Sequence, residues 1–250
     1  MRKSNLMTKQ WVLVTGGSRG IGRALVEELA KQWNVVFTCR SGQSASAAVI
    51  ETCAGLPGWV ESCICDGSDE LAVDVAAPPL LARLGAPFAV IHNAGITQDD
   101  LHIQQTGERW RQVIDTNLNA IFYWNRHLLP AMMAQGEGAM VLMSSVTGIK
   151  GNTGQTAYGA SKAAMIGLGK SLALEVARFG IRVNCLLPGI IESEMTQAIP
   201  PEALKALRKQ IPLRRLGKAC EVARTTAFLI GDDSRYMTGQ ILVLDGGLTV

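Results

Sequence analysis

Tyr158 and Lys162 stand four residues apart in Tyr158-Gly-Ala-Ser-Lys162, inside a stretch whose apolar pattern predicts a helix near 157–178. On a helix that spacing puts both side chains on one face, about 6 Å apart along the axis. A phenol with a pKa of ~10 is a poor acid or base at neutral pH. A neighbouring ammonium favours the phenolate and brings it toward the working range. Thirteen residues before the tyrosine is Ser145, at the end of a strand predicted over Met140–Met143. That is the carboxyl edge of a strand, where open α/β sheets bind ligands. A tyrosine and lysine at this spacing also occur on ordinary amphipathic helices, so the weight falls on what surrounds them.

A second group of residues could hold an anion. Thr15-Gly16-Gly17-Ser18-Arg19-Gly20-Ile21-Gly22 follows the apolar run Trp11–Val14 and opens a helix predicted over Arg23–Lys31. Glycines let a backbone turn sharply and approach a pyrophosphate, and a helix N-terminus offers free N–H groups to it. Such a turn can also be a simple strand-to-helix connection. The strand–turn–helix context favours a dinucleotide. NAD sites place an Asp or Glu after the second strand to hold the ribose 2′-hydroxyl. Here that strand ends Thr38-Cys39-Arg40-Ser41, with no acid. Arg40 and Arg19 suit a 2′-phosphate, which arginine binds in a bidentate fork, so the expected cofactor is NADPH.

The elements that must position these groups follow from the rest of the chain. It has 250 residues, 48% hydrophobic and 18% charged, with 26 glycines. That excludes disorder and collagen and supplies a large core. With 24 basic and 21 acidic residues the net charge is +3, too small to suggest a nucleic-acid partner. Six cysteines make no CxxC pair, and none of the three histidines pairs with a cysteine at zinc spacing. No metal site is expected, and the thiols read as reduced and buried, as in a cytoplasmic protein. Residues 1–10 lack an apolar signal core and read as an N-terminal tail. No apolar run is long enough to cross a bilayer.

Short β-branched runs at Val35–Thr38, Val60–Cys65, Phe88–Ile91, Ile181–Leu186 and Ile241–Leu244 join the two strands already named. Helical patterns near 107–135, 157–178 and 219–230 alternate with them, and Thr106 is placed to cap the first. Pro78-Pro79 is expected to end whatever helix starts after Ser68. Strands that are apolar throughout and separated by helices predict an α/β fold: a Rossmann-like, doubly wound, parallel seven-stranded sheet with helices on both faces. The expectation is a single domain over 11–250.

In these residues the chain resembles the short-chain dehydrogenase/reductase family, in its 3-oxoacyl-[acyl-carrier-protein] reductase branch, from about Gln10 to Val250. The marks are the glycine turn, Cys65-Asp66, His92-Asn93-Ala94-Gly95, Thr116-Asn117-Leu118, Ser144-Ser145, the Tyr/Lys helix, Pro188-Gly189, Tyr236-Met-Thr-Gly239 and Asp245-Gly-Gly247. The resemblance implies that Tyr158 donates a proton to a carbonyl oxygen. It implies that Lys162 lowers the tyrosine pKa and holds the nicotinamide ribose, and that Ser145 hydrogen-bonds the carbonyl. Asn117 would hold a water linking Lys162 to solvent. Asp66 and Gly67 would flank the adenine, Asn93, Ala94 and Gly95 would pass beneath the ribose, and Ile191 after Pro188-Gly189 would meet the carboxamide. Ser144 rivals Ser145, but the spacing to Tyr158 favours Ser145. His92 reads as a packed strand-end residue.

The implied substrate is a β-keto acyl thioester on a carrier protein of fatty-acid or polyketide-like synthesis. The implied assembly is a homo-oligomer, a tetramer, with a substrate lid around 190–212. Basic residues expected where an acidic carrier docks are missing from Ala134-Gln-Gly-Glu-Gly138, and Gln98 stands where many relatives have arginine. Arg126, Lys150, Arg178, Arg214 and Arg215 are candidates for an altered docking surface. Two other functions remain open at the level of sequence. One is a reductase of a free small ketone, sugar or steroid-like alcohol. The other is an NADPH-binding scaffold or sensor without turnover.

Overall fold

In a parallel sheet covered on both faces a strand cannot alternate between core and solvent, so it must be apolar throughout. Strands β1 (Trp11–Val14), β2 (Asn34–Cys39), β4 (Ala89–His92) and β5 (Gly138–Met143) meet that requirement and are buried along their whole lengths. With β3 (Val60–Ile64), β6 (Ile181–Pro188) and β7 (Ile241–Leu244) they form one sheet in the order β3-β2-β1-β4-β5-β6-β7, every pairing parallel. The structure, a computed structural model, describes residues 10–192 and 201–250. The order reverses between neighbours β1 and β4, which leaves a crevice at their carboxyl ends.

Helices fill both faces. On one, α3 (Glu70–Leu84), α5 (Ala120–Gln135) and α7 (Thr156–Val176) pack Val73, Leu80, Trp124, Leu128, Met132 and Met165 against Leu13, Val36, Val90 and Met140. On the other, α1 (Gly20–Leu29), α2 (Gln43–Thr52) and α9 (Ala219–Ile230) pack Leu25, Leu29, Val49, Val222 and Ile230 against Val12, Phe37, Ile91 and Val141. A short α4 (Gly107–Ile114), a single-turn α6 (Thr147–Lys150) and α8 (Pro201–Gln210) complete the described helices named here. Thr106 caps α4 as expected, accepting from the Arg109 N–H at 3.2 Å.

Two helical expectations are corrected. Pro78-Pro79 does not end its helix, because α3 runs through both to Leu84. Both prolines lie on the exposed face, where carbonyls that lose their N–H partners meet water, while Val73, Ala77 and Leu80 anchor the opposite face in the core. The helix expected over 107–135 is three pieces. Between α4 and α5, residues Asp115–Asn119 form one π turn, which carries the buried Asn117. Finally, α2 had no sequence expectation, and it begins after Gly42, whose φ of +97° suits glycine.

Candidate active site

The glycine turn lies where the sequence placed it, after β1 at the crevice. The Thr15 hydroxyl accepts from the backbone N–H groups of Asn93 and Ala94, both at 3.0 Å, which ties the turn to the end of β4. The Asn93 amide returns the contact, donating to the carbonyls of Thr15 at 3.0 Å and Gly16 at 3.1 Å. From β2, Thr38 accepts the Gly16 N–H at 3.1 Å through its hydroxyl. A Cβ on Gly22 would lie 1.9 Å from the Gly16 carbonyl oxygen, and one on Gly17 would lie 2.4 Å from Phe37 Cβ. These glycines therefore allow the turn to close on itself.

The space at the head of α1 fits a dinucleotide pyrophosphate. No side chain caps that helix and no acid stands in its first turn. A Cβ on Gly20 would meet nothing within 4 Å, so the entrance to the helix is open to an anion. Arg19 and Arg40 are exposed beside it, and their guanidinium groups make no hydrogen bond or ion pair to another described residue. Ser18 and Ile21 complete the turn between them. Two uncommitted guanidiniums, with no carboxylate after β2, suit a ribose 2′-phosphate better than a bare 2′-hydroxyl.

The reacting groups meet across the end of β5. Ser145 stands beside Tyr158 on α7, near enough to pull its phenol down, and its hydroxyl accepts the Thr147 N–H at 3.1 Å. Ser144 is turned away, donating to the Lys162 carbonyl at 2.7 Å. That decides between the two serines as partners for the tyrosine. Lys162 is almost wholly buried. Its Nζ donates to the Met143 carbonyl at 2.7 Å and sits 5.6 Å from the centre of the Tyr158 ring. Burial lowers the lysine from its ordinary 10.5 to about 8.

The tyrosine differs from expectation. Burial pushes its phenol up, the Ser145 hydrogen bond pulls it down, and the Asp99 carboxylate pushes it up again, leaving it above the ordinary value of 10. The net shift is upward because burial prevails over the lowering expected from Lys162, whose ammonium sits 5.6 Å from the ring centre and donates to the Met143 carbonyl. A phenol kept neutral in this way is in the form a proton donor needs.

Asn117 is brought to the same place by the π turn. Its Oδ1 accepts the Ile96 N–H at 2.8 Å, and its Nδ2 donates to the Ile96 carbonyl and to Ser161 Oγ, each at 3.0 Å. A Cβ on Gly95 would lie 3.4 Å from both Asn117 Oδ1 and Lys162 Nζ, so the three residues border one small space. A π turn re-aims one side chain within a continuing helix, and such turns are frequent at functional sites.

The remaining expected residues line the crevice more loosely. Asp66 accepts from the N–H and hydroxyl of Ser68 at 3.0 and 2.7 Å, and the absent Cβ of Gly67 leaves room for Trp124. Pro188 accepts the Val146 N–H at 3.2 Å. Gly189 lies where a Cβ would press on Asp245, and Ile191 pairs with Gly217. His92 is buried at the end of β4, bonded to Asn125 at 2.9 Å, and burial lowers it to about 4, so it is neutral and packed. The lid expected around 190–212 falls partly on residues 193–200, outside the described residues.

The five basic docking candidates do not form one free patch. Arg126 pairs with Glu70, Arg215 pairs with Glu221 at 2.7 Å, and Arg178 stacks over Phe179 at 4.7 Å. Arg214 donates to the Lys209 carbonyl and Lys150 is exposed. Sequence reasoning missed Thr15 and Thr38 as the clamps of the turn, and also Gln155, which precedes α7. The position of Thr15 at the head of the glycine turn was the available signal for the first. Among the described residues no helix is long and apolar enough to cross a membrane, and no cluster of His, Cys, Asp or Glu could hold a metal ion.

Comparison with known proteins agrees with this geometry. Residues 16–249 match the family described as Enoyl-(Acyl carrier protein) reductase. The chain is 37% identical over 238 residues to the 3-oxoacyl-[acyl-carrier-protein] reductase FabG of Thermotoga maritima, covering 95% of this chain and 97% of that one. It is 39% identical to the protein of that name from Escherichia coli K12, over 94% of this chain and 96% of that one. It is also 39% identical to that from Staphylococcus aureus Mu50, over 97% and 98%. Glycine turn, crossover crevice, serine, tyrosine and lysine thus stand in a chain whose similarity to these reductases is nearly full length, and the chain belongs to the short-chain dehydrogenase/reductase family.

Proposed function

We propose that the protein is an NADPH-dependent reductase that converts a 3-oxoacyl thioester, presented on an acyl carrier protein, to the 3-hydroxyacyl thioester of fatty-acid or polyketide-type synthesis. The observation that carries this is the meeting of Ser145 and Tyr158 at the carboxyl edge of β5, with the buried Lys162 Nζ 5.6 Å from the centre of the Tyr158 ring. NADPH supplies the hydride when bound. The chain's own residues deal with the oxygen on which charge grows. Ser145 and Tyr158 present two donors to it, and Tyr158 gives up its proton there. Lys162 stabilises the phenolate left behind and holds the nicotinamide ribose. Asn117 fixes the Gly95–Ile96 segment and keeps a water between Lys162 and solvent.

Gly16, Ser18, Arg19, Gly20, Ile21 and Gly22 hold the pyrophosphate side, and Arg40 with Arg19 holds the 2′-phosphate. Asp66 and Gly67 flank the adenine. Asn93, Ala94 and Gly95 lie under the ribose, and Pro188, Gly189 and Ile191 lie at the carboxamide. Residues around 190–212 serve as the substrate lid. The chain assembles as a homo-oligomer, a tetramer, through α5 and α7. In support, α7 exposes Ala160, Ala163, Ala164, Gly167 and Leu174, the last 84% exposed. The free cysteines suit a reducing, cytoplasmic setting.

The test is NADPH oxidation with a soluble acetoacetyl thioester, with the same acyl group on a carrier protein, and with simple ketones. Turnover of both thioesters, with a lower KM for the carrier-bound form, is expected. Turnover of ketones alone would replace this substrate class with free small carbonyl compounds.

A further inference from the structure

The segment that follows β4 is stitched to the start of α7 by contacts the reaction itself does not require. Asp99 is fixed at both carboxylate oxygens. The Thr97 hydroxyl donates to one, and Gln155 Nε2 donates to the other at 2.8 Å. Beside it, the Asp100 N–H donates to the Gly154 carbonyl at 2.9 Å, and His102 meets Thr156 at 3.1 Å. Gln155 is the hub of this bracket. Its Oε1 accepts from Asn152 at 3.0 Å and from the Thr147 hydroxyl at 3.5 Å, and its carbonyl accepts the Gly159 N–H at 2.7 Å, beside Tyr158. Thr147 in turn donates its N–H to the Ser145 hydroxyl. Hydrogen bonds therefore link Asp99 through Gln155 and Thr147 to the Ser145 hydroxyl, and the same Gln155 starts the first turn of α7, which carries Tyr158.

We propose that Asp99, acting through Gln155, is a positioning residue of the reaction centre, anchoring the segment after β4 to the head of α7 so that Ser145 and Tyr158 face one carbonyl oxygen. This rests on the reductase reading above. Asp99 is exposed and has no cationic partner among the described residues, so its charge is free to act on the site as well. The charged or titratable groups around Tyr158 are then Lys162 over its ring, Asp99 from the segment after β4, and His102 at Thr156. Ser145 contributes a neutral hydroxyl.

The variants Asp99→Ala and Gln155→Ala break the path, and misplaced donors cost rate more than binding. Each should lower kcat on the acetoacetyl thioester about tenfold, with KM and NADPH Kd changed less than about twofold. The double variant should be no worse than either single one. Asp99→Asn keeps an oxygen for Gln155 and removes the charge. It should restore most of kcat while moving the alkaline limb of the rate profile to lower pH, because the carboxylate that held the phenol up is gone. Additive losses, or losses confined to KM and NADPH binding, would overturn the proposal. Positioning is also read without substrate: exchange of the Thr147 and Gly159 amide hydrogens should quicken about tenfold in both alanine variants. Unchanged exchange overturns the bracket whatever the substrate is, whereas a wild-type protein inactive on the thioester, with exchange quickened as stated, contradicts the functional reading alone.

Discussion

Ser144 and Ser145 are chemically identical neighbours, and backbone direction separates them. The first spends its hydroxyl on the carbonyl of Lys162, while the second meets Tyr158. The thirteen-residue spacing predicted this outcome. The direction of the Tyr158 shift was not legible, because it depends on burial and on where the ammonium sits, and a four-residue spacing reports neither. Lys162 shows what such a site costs the fold. Its pKa of about 8 against 10.5 means that the folded chain binds fewer protons than the unfolded chain between those values. Stability therefore rises with pH across that window and is lowest below it. The gap corresponds to on the order of 3 kcal/mol, offset in a variant by the loss of the bond to Met143. Lys162→Met should therefore abolish turnover yet melt several degrees higher at pH 7, and its stability should no longer rise between about pH 8 and 10.5. A lower melting temperature would show that the Met143 contact outweighs the buried charge.

At the scale of elements, what was legible followed from local rules. The apolar runs gave the strands to within a residue or two, and β7 over Ile241–Leu244 matches its expected limits. The exceptions arose where distant packing overrode a local rule. The α3 prolines are tolerated because their face is wet, and the helix expected over 107–135 carries a π turn because Asn117 must reach Ile96 and Ser161. Neither constraint is written in the residues around it. The glycine turn itself was legible, its clamps Thr15 and Thr38 were not, and its tightness is testable. Gly22→Ala would force a methyl to within 1.9 Å of the Gly16 oxygen, displacing the turn from the head of α1. NADPH Kd should rise about tenfold or more, an effect of ~1.4 kcal/mol, measurable by fluorescence titration. Unchanged affinity would mean that the turn does not contact the cofactor.

For the whole molecule, the sheet order explains why residues scattered from Thr15 to Ile191 share one crevice. Thr15, Asp66, Asn93, Ser145 and Ile191 follow the carboxyl ends of strands, the π turn and α7 bring Asn117, Tyr158 and Lys162 to the same edge, and the order reverses where β1 meets β4. The alternation of elements made that architecture readable, since right-handed crossovers leave few other solutions. Long-range side-chain partnerships were not readable, such as Asp99 with Gln155 or Arg126 with Glu70. The second of these explains why a count of basic residues did not reveal a docking face. Cofactor choice is also a property of the assembled crevice, because Arg19 and Arg40 arrive from different strand–helix units. Arg40→Ala should cut the preference for NADPH over NADH about tenfold or more, as expected for the loss of a charge-assisted bond to phosphate, with little change in the NADH rate. Equal losses with both cofactors would place Arg40 elsewhere than at the 2′-phosphate.

The central claim is that Tyr158 passes a proton to the carbonyl of a 3-oxoacyl thioester while NADPH is held at the head of α1. The most direct measurement compares wild type with Tyr158→Phe, recording NADPH binding and single-turnover oxidation with an acetoacetyl thioester. The account predicts that the variant binds NADPH as tightly as wild type and loses turnover by at least about a hundredfold. Turnover preserved in the variant would contradict it.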